Sequence, residues 1–342
     1  MAYSSGTSTD VVDLVNDFAT FIEANGWTRD DLSNEGTGRR YHAHRGSQYL
    51  NMRAYLNETP SAEIDQAAAG CYGVAFNIGT GYSGATAWHK QAGAPPFSSL
   101  YLTAGISKAT GAINSYHFFA HNSGDQIFAV VEYASGQYQY IGFGLMEKYG
   151  TFTGGDFMFG STEGVRATFS GQCGAPFQAQ LPSGSPTSPI AIGHESRGVI
   201  ALATVTVDAE SGWHTASAMD SGNSQRRIVN INSLPYLHEV LASPNSINGV
   251  AALHPMKLYV SRTASSGQHN LSGQNLAPLG EIPNFFPCSI ASFTPAQQVT
   301  FGATNYRVFP TAAKGLTYVS YNDGSSTPAN RTSGYFGFAI KE

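Results

Sequence analysis

The sequence predicts a mainly β protein with a small N-terminal α+β unit, a body of antiparallel sheets resembling a β-sandwich, and few short helices. Short stretches rich in aromatic and β-branched residues recur along the chain, separated by Gly, Asn and Pro. Only one longer stretch has strong helical periodicity. Charged residues make up 12% of the chain, roughly half the usual share. Such a neutral polar surface is typical of a subunit covered by neighbours, because neutral groups lose water more cheaply than charges do.

The helix is predicted near the N-terminus. Its apolar positions recur at helical spacing: Val11, Leu14, Val15, Phe18 and Ile22. We expect Ser8 or Thr9 to cap its start and Asn25-Gly26 to end it. The apolar face needs a partner surface, which we expect a sheet to supply.

A β-hairpin is predicted after the helix. Arg45-Gly46-Ser47 is the expected turn, and aliphatic side chains alternate with other residue types from Tyr49 to Leu56. Helix and hairpin define an acidic α+β unit over residues 1–65. This unit holds ten of the 23 carboxylates and five of the 18 basic residues, whereas the remainder of the chain is balanced.

The acidic unit indicates electrostatic contacts. Its candidate contact residues are Asp10, Asp13 and Asp17, which we expect either to dock on a basic patch of another subunit or to keep unassembled copies apart by repulsion. The chain offers no basic patch of its own, since Arg39-Arg40 and Arg226-Arg227 are isolated pairs. A nucleic-acid partner is therefore not favoured.

The remainder of the chain divides at residues 181–189, LPSGSPTSP, a candidate boundary or long exposed loop. Residues 66–180 are expected to hold a loose Gly-rich segment at 70–100 and an antiparallel meander, and residues 190–342 a β-rich domain with a short helix from Ser233 to about Leu241. The expected strands are 112–120, 126–133 and 137–144 in the meander, then 198–207, 255–262, 298–302, 305–309, 316–321 and 334–340.

Motifs of common catalytic sites do not occur in the sequence, which contains no G-x-S-x-G, H-E-x-x-H or P-loop pattern. We therefore predict no catalytic residues, no cofactor and no metal. His42 and His44 can share one face of a strand, but two ligands do not complete a zinc site. The cysteines, Cys71, Cys173 and Cys288, are widely spaced and are expected to be buried thiols in a reduced compartment.

Acid–base chemistry has two weak candidates. Trp213-His214, close to Asp208 and Glu210, resembles an acid–base group but also an ordinary strand end and turn. Glycoside hydrolysis needs two carboxylates about 5–10 Å apart. Carboxylates available for such a pair are Asp125, Glu132, Glu147 and Asp156. A chain with 23 carboxylates offers such pairs by chance, so an enzyme is not favoured.

Aromatic residues supply the other contact candidates. Tyr138 and Tyr140 alternate with glutamines on a predicted strand, which favours a core-facing row over an exposed surface for a sugar or a subunit. Trp88 and His89 lie in the Gly-rich segment, where less core is expected. We expect these two residues to contact another subunit.

Several segments together resemble a family. The helix ends in ANGWT and leads into RRYHAHRGSQYLNMRAYL, the central run is YHFFAHNSGDQIFAVVEYASGQYQYIGFGLMEKYGTFTGGDF, and late segments are YRVFP and GYFGFAIKE. These segments are similar to structural proteins of tailed bacteriophages, carried in the virion at the neck or collar or in the tail. The resemblance spans most of the chain and consists of packing and turn motifs. It implies a homo-oligomeric ring or a peripheral decoration, with other virion proteins as partners.

The sequence thus favours a non-enzymatic structural and assembly subunit of a virion. The alternative is a tail-associated receptor- or carbohydrate-binding protein, and a polysaccharide-degrading virion enzyme is less favoured. A receptor binder is expected to have fibre-like repeats, and no fixed period occurs here. The sequence shows neither a leader nor an apolar run of about 18 residues, so we expect synthesis in the host cytoplasm and no membrane partner.

Overall fold

The protein was analysed as a computed structural model. The residues described are 1–58, 71–94, 104–107, 110–151, 154–160, 202–205, 213–215, 226–230, 253, 255–262, 276–310, 313–314 and 336–342. In this part of the chain the secondary structure is mostly β-strand in antiparallel sheets, with one α-helix. The predicted fold class is confirmed.

The elements are numbered in chain order. The helix is α1 (Val11–Ala24), and Trp88–Lys90 and Asn122–Gly124 form short 3-10 turns. The strands are β1 (Ala2–Ser8), β2 (Thr28–Glu35), β3 (Gly38–Arg45), β4 (Gln48–Glu58), β5 (Cys71–Gly79), β6 (Ala104–Ser107), β7 (Ile113–His121), β8 (Gln126–Ala134), β9 (Gln137–Leu145), β10 (Glu147–Lys148), β11 (Gly154–Gly160), β12 (Leu202–Val205), β13 (Trp213–Thr215), β14 (Arg226–Asn230), β15 (Met256–Arg262), β16 (Leu276–Ile282), β17 (Phe285–Ser289), β18 (Gln297–Phe301), β19 (Thr304–Pro310) and β20 (Phe336–Lys341).

The described residues fall into two compact units. The first comprises residues 1–144 and 158–160, and the second comprises 145–157 and the described residues from 202 onward. The predicted division at residue 65 stays a prediction. The predicted boundary at 181–189 lies outside the described residues.

The start of α1 differs from the prediction. Asp10, rather than Ser8 or Thr9, is the N-cap, and its Oδ1 accepts hydrogen bonds from the backbone N–H groups of Val12 (2.7 Å) and Asp13 (2.9 Å). An ionised carboxylate is a stronger acceptor than a hydroxyl and is favoured at the positive end of the helix dipole, which explains the choice. The predicted end is confirmed, because the helix stops before Asn25.

The apolar face of α1 packs on the sheets of the first unit. All five predicted apolar positions are buried. The ring of Phe18 lies 5.2 Å from that of Phe118 on β7 and 6.4 Å from that of Phe143 on β9, centroid to centroid. The expectation that a sheet covers this helix is confirmed.

Two sheets build the first unit. One has the order β2-β3-β4-β5-β6, and the other contains β1-β7-β8-β9 in that order. The hairpin turn at Gly46-Ser47 and the three-stranded meander β7-β8-β9 are both confirmed. The ring centroids of Phe76 on β5 and Phe143 on β9 are 5.8 Å apart, so the two sheets contact each other through these rings.

The segment predicted to be a loose Gly-rich loop begins with a strand. β5 pairs along β4, and its alternate residues Val74, Phe76 and Ile78 are all buried. Glycines at both ends of this stretch masked the alternation in the sequence. The prediction of a loop from residue 70 is therefore wrong for residues 71–79.

The second unit is also built from antiparallel strands. One sheet has the order β10-β16-β15-β14, another has β17-β20-β19-β18, and β12 pairs with β13. Four predicted strands are confirmed here as β15, β18, β19 and β20. β12 lies within the predicted strand 198–207. The predicted strand at 316–321 and the helix from Ser233 lie outside the described residues.

Candidate functional site

The three candidate aspartates serve the start of α1. Asp10 caps the helix, and Asp13 Oδ2 accepts from the N–H (2.9 Å) and hydroxyl (3.1 Å) of Thr9. Asp17 accepts from the hydroxyl of Ser8 at 2.7 Å. All three therefore have local hydrogen-bonding roles. Contact with another subunit stays a prediction for them.

Trp88 and His89 are core residues, 1% and 3% exposed. The indole N–H of Trp88 donates to the Tyr55 hydroxyl at 3.0 Å. The expectation that little core is available at this position is wrong, because the segment folds back onto β4. Neither side chain is exposed for a direct contact with a ligand or a subunit.

Tyr138 and Tyr140 are also buried, which agrees with the core-facing interpretation. Burial, reinforced by the neighbouring Glu132 carboxylate, raises the pKa of Tyr138 to about 12. The Tyr140 ring packs 6.3 Å from that of Phe159, centroid to centroid. These tyrosines contribute to the core and do not form a surface for sugars.

A row of polar side chains crosses β3, β4 and β5 on the sheet face opposite the buried Tyr41, Met52 and Phe76. His42, Asn51 and Asn77 are paired in register and are 0–2% exposed. The His42 Nδ1 and Asn51 Oδ1 are 2.8 Å apart, and Asn51 Nδ2 donates to Asn77 Oδ1 at 2.9 Å. We call these three residues the polar row.

The polar row determines the tautomer of His42. Because Asn51 donates its amide N–H to Asn77, its oxygen faces His42, and Nδ1 must carry the proton. Nε2 then holds a lone pair, and it is buried with no hydrogen-bond partner among the described residues. Burial lowers the pKa of His42 below its usual value, against the opposing effect of the bond to Asn51.

A closed loop covers the polar row. The N–H of Thr80 donates to the carbonyl of Ala92 at 2.7 Å, and Gln91 bonds back to Ser83 within the loop. The Tyr82 ring lies over His42 with centroids 4.6 Å apart. The Nε2 atom of His42 is closed off from solvent.

Ion pairs border the polar row. Arg40 and Arg53 are cross-strand neighbours, and Arg53 is 2% exposed. Arg40 pairs with Asp31 at 2.8 Å, and Arg53 pairs with Glu58 at 2.6 Å. Glu35 lies within 4 Å of both guanidinium groups, at 3.7 and 3.8 Å. The cluster holds three carboxylates and two guanidinium groups, so it does not form an anion site.

His42 and His44, which the sequence places on one strand face without predicting a metal site, have different partners. His44 Nδ1 lies 2.9 Å from Asp30 Oδ1, whereas His42 bonds to Asn51. Among the described residues no group of three His, Cys, Asp or Glu side chains could hold a metal ion. Cys288 is a buried free thiol whose pKa is raised by burial.

The carboxylates considered for glycoside hydrolysis have local partners in two cases. Asp125 Oδ1 accepts from Arg45 at 2.9 Å. Glu132 accepts from the hydroxyl of Ser115 (3.0 Å) and from the N–H of Gly136 (2.8 Å). Glu147 and Asp156 lie on β10 and β11. Trp213 and His214 lie on β13, but Asp208 and Glu210 fall outside the described residues.

The outer strands of the sheets form a different kind of candidate site. Among the described strands, β1 is the outer strand beside β7, and β18 is the outer strand beside β19. Neither strand contains a charged residue or a proline. By contrast, the outer strand β2 carries four charged residues, and β17, opposite β18 in its sheet, contains Pro287.

Charges and prolines are the usual means by which proteins prevent strand addition at a sheet edge. β2 and β17 are protected in this way, and β1 and β18 are not. The outer strands β6 (AGIS) and β13 (WHT) also lack charges and prolines, but they are only four and three residues long. An unprotected edge offers backbone N–H and C=O groups to a strand of another chain. β1 and β18 are the longest of these four described outer strands, with seven and five residues, and are therefore the best suited of them to contacts with another subunit.

Comparison with known proteins gave no match, either to a family model or to a curated protein sequence. No helix in the described part of the chain has the length and apolar character needed to cross a membrane. The polar row and the unprotected edges were not singled out from the sequence. Asn51 and Asn77 are 26 residues apart, and only the strand register brings them together.

Proposed function

We propose that this chain is a non-enzymatic structural subunit of a tailed-phage virion, at the neck or collar or in the tail, and that it acts through protein–protein contacts. The observation that carries the proposal is the uncharged, proline-free sequence of the outer strands β1 and β18, the two longest described outer strands of this kind. A free monomer with such edges risks uncontrolled pairing, whereas a subunit of an assembly uses them.

The composition supports the same function. A chain with only 12% charged residues lacks much of the surface charge that keeps monomers apart in solution. Its neutral polar groups lose water at a lower cost when a neighbour covers them. The resemblance to tailed-phage structural proteins supports a tailed-phage virion as the particle to which the chain belongs.

The local roles of the polar groups also favour a structural protein. Asp125 and Glu132 are held by Arg45, Ser115 and the backbone of Gly136. The polar row is covered by the loop that contains Tyr82. These groups stabilise the fold where they are described.

The test is to purify particles of the phage that encodes this chain and to quantify their proteins by mass spectrometry. We expect the chain to co-purify with the particles at a constant multiple per particle. A non-structural protein of the same phage is the control and should stay in the lysate. Recovery of the chain only from the soluble lysate would contradict the proposal.

A further inference from the structure

We propose that β18 pairs with β18 of a second copy of this chain, antiparallel across a two-fold axis, so that the sheet β17-β20-β19-β18 continues into the second copy. This inference rests on the proposed function, since it identifies one contact of the assembly and its partner.

The hairpin between β18 and β19 determines which residues of β18 direct their backbone N–H and C=O groups outward. Phe301 pairs with Thr304, and only Gly302 and Ala303 separate them. The two residues that flank a two-residue turn form a hydrogen-bonded pair, in which each donates its backbone N–H to the carbonyl of the other. In the other phase the hydrogen-bonded pair would be Gly302 and Ala303, which are adjacent in the chain and cannot pair in this way. Phe301 and Val299 therefore direct their N–H and C=O groups toward β19, and Gln298 and Thr300 direct theirs outward.

The outward groups complement those of a second β18. In an antiparallel pair centred on Val299, Gln298 of each copy lies opposite Thr300 of the other. Each of these residues can then exchange both backbone hydrogen bonds with its counterpart. Val299 meets Val299 of the second copy at the axis, as a pair with closely approaching side chains.

The residue that precedes β18 is anchored before any partner arrives. Arg307 Nη1 donates to the carbonyl of Ala296 at 2.8 Å, and the N–H of Ala296 donates to the carbonyl of Val308 at 2.8 Å. An anchored strand end loses less conformational entropy on binding than a free one, which favours pairing.

The side chains of β18 suit a copy of the same strand. Gln297, Gln298 and Thr300 are exposed and uncharged, so two copies meet without like-charge repulsion. Val299 belongs to a core that includes Phe286 and Val308, and Phe301 packs on that core while still partly exposed. Pairing would extend this apolar face across the axis. The other edge of the sheet, β17, carries Pro287 and cannot serve equally.

The test compares the masses of variants in solution. Thr300→Pro removes an outward N–H, and proline is tolerated at such an edge position. Thr300→Val is the matched control, because it keeps the N–H and loses only the hydroxyl that donates to Asn305. We expect Thr300→Pro to weaken self-association by at least about tenfold by sedimentation, and Thr300→Val to stay near the wild type. Circular dichroism checks that both variants fold.

A charge exchange tests whether β18 contacts β18 and not another surface. A Gln298→Lys/Thr300→Lys chain and a Gln298→Glu/Thr300→Glu chain should each self-associate poorly, since like charges face each other across the axis. Their mixture should associate, because opposite charges then face each other. A mixture that stays dissociated would overturn the pairing.

The outcomes separate this inference from the proposed function. If wild-type chains assemble and Thr300→Pro assembles equally well, the β18 pairing is wrong and the structural function stands. If the wild type is a monomer in solution yet enters the particle, the β18 pairing is wrong and the structural function again stands. If the chain neither assembles nor enters the particle, both proposals fail.

Discussion

A single carboxylate holds the start of α1. Asp10 accepts two backbone N–H groups, so Asp10→Ala leaves both without that acceptor. We expect the free energy of unfolding to fall by about 1 kcal/mol, measured by denaturant titration. Asp10→Asn keeps an acceptor and should cost clearly less. Equal losses in both variants would show that the capping bond is not the cause.

The buried imidazole of the polar row gives the fold a pH dependence. Burial lowers the pKa of His42 in the folded state, so the unfolded chain binds its proton more readily. Stability from this group is complete above the unfolded value of about 6.5 and falls as the pH drops below it. Arg40, which faces His42, opposes its protonation, and Asp30 and Asp31 favour it.

The prediction is that His42→Gln flattens this dependence. Between pH 7.5 and pH 5.0 we expect the unfolding free energy of the wild type to decrease more than that of His42→Gln, as measured by urea titration at each pH. The two proteins are compared by slope, so a constant offset from the substitution does not matter. Parallel profiles would mean that His42 does not titrate between the two states.

The loop that covers the polar row is held on the sheet by the indole of Trp88. Trp88 is buried and bonded to Tyr55, so Trp88→Ala should lower the free energy of unfolding by about 3–5 kcal/mol. Lys90→Ala, in the same turn but exposed, is the control and should stay within about 0.5 kcal/mol of the wild type. Thermal and urea unfolding measure both. A Trp88→Ala protein as stable as Lys90→Ala would refute the core position of Trp88.

The turn between β7 and β8 is closed against the end of α1. Gly124 has a φ of +100°, its carbonyl accepts from the Trp27 indole, and a Cβ added there would lie 2.2 Å from the carbonyl oxygen of Asn25. Gly136 also has a positive φ, +70°, but open space around it. We expect Gly124→Ala to destabilise the protein by more than the roughly 1–2 kcal/mol of conformational strain, and Gly136→Ala by about that amount only. Chemical denaturation of the pair tests this, and equal effects would contradict the close approach.

The sequence predicts the elements whose signals are local. The period of α1 and the alternating residues of the meander follow from side-chain spacing alone. β5 was missed because glycines lie at its ends, and β1 because AYSSGTS has almost no apolar pattern. Both strands are held by pairing with distant segments, β5 with β4 and β1 with β7, and such pairing leaves no local signal.

The surroundings of the candidate site residues also depend on contacts between distant segments, which a local sequence pattern does not show. Trp88 looked available because its segment is rich in glycine, and only the docking of that segment on β4 makes it core. The alternation of Tyr138 and Tyr140 with glutamines is compatible with a core-facing row and with an exposed surface. Their burial shows that they face the core. The polar row depends on strand register, which a sequence pattern alone does not specify across loops.

Across the molecule, the sparse charge and the unprotected outer strands both favour association with other chains. Sparse charge weakens the repulsion between copies, and the described outer strands β1 and β18 lack the charges and prolines that prevent pairing. The acidic excess of residues 1–65 is the exception, and part of it is used internally, as in the cap of α1 and the pair of Arg53 with Glu58. The surface as a whole is suited to being covered.

The proposed function requires association with other chains, which the molar mass of the chain in solution measures. Light scattering of the purified chain over a range of concentrations, alone and mixed with proteins from disrupted particles, gives that mass. We predict a mass of two or more chains, or a complex with a particle protein. A mass of one chain under every condition would contradict the account.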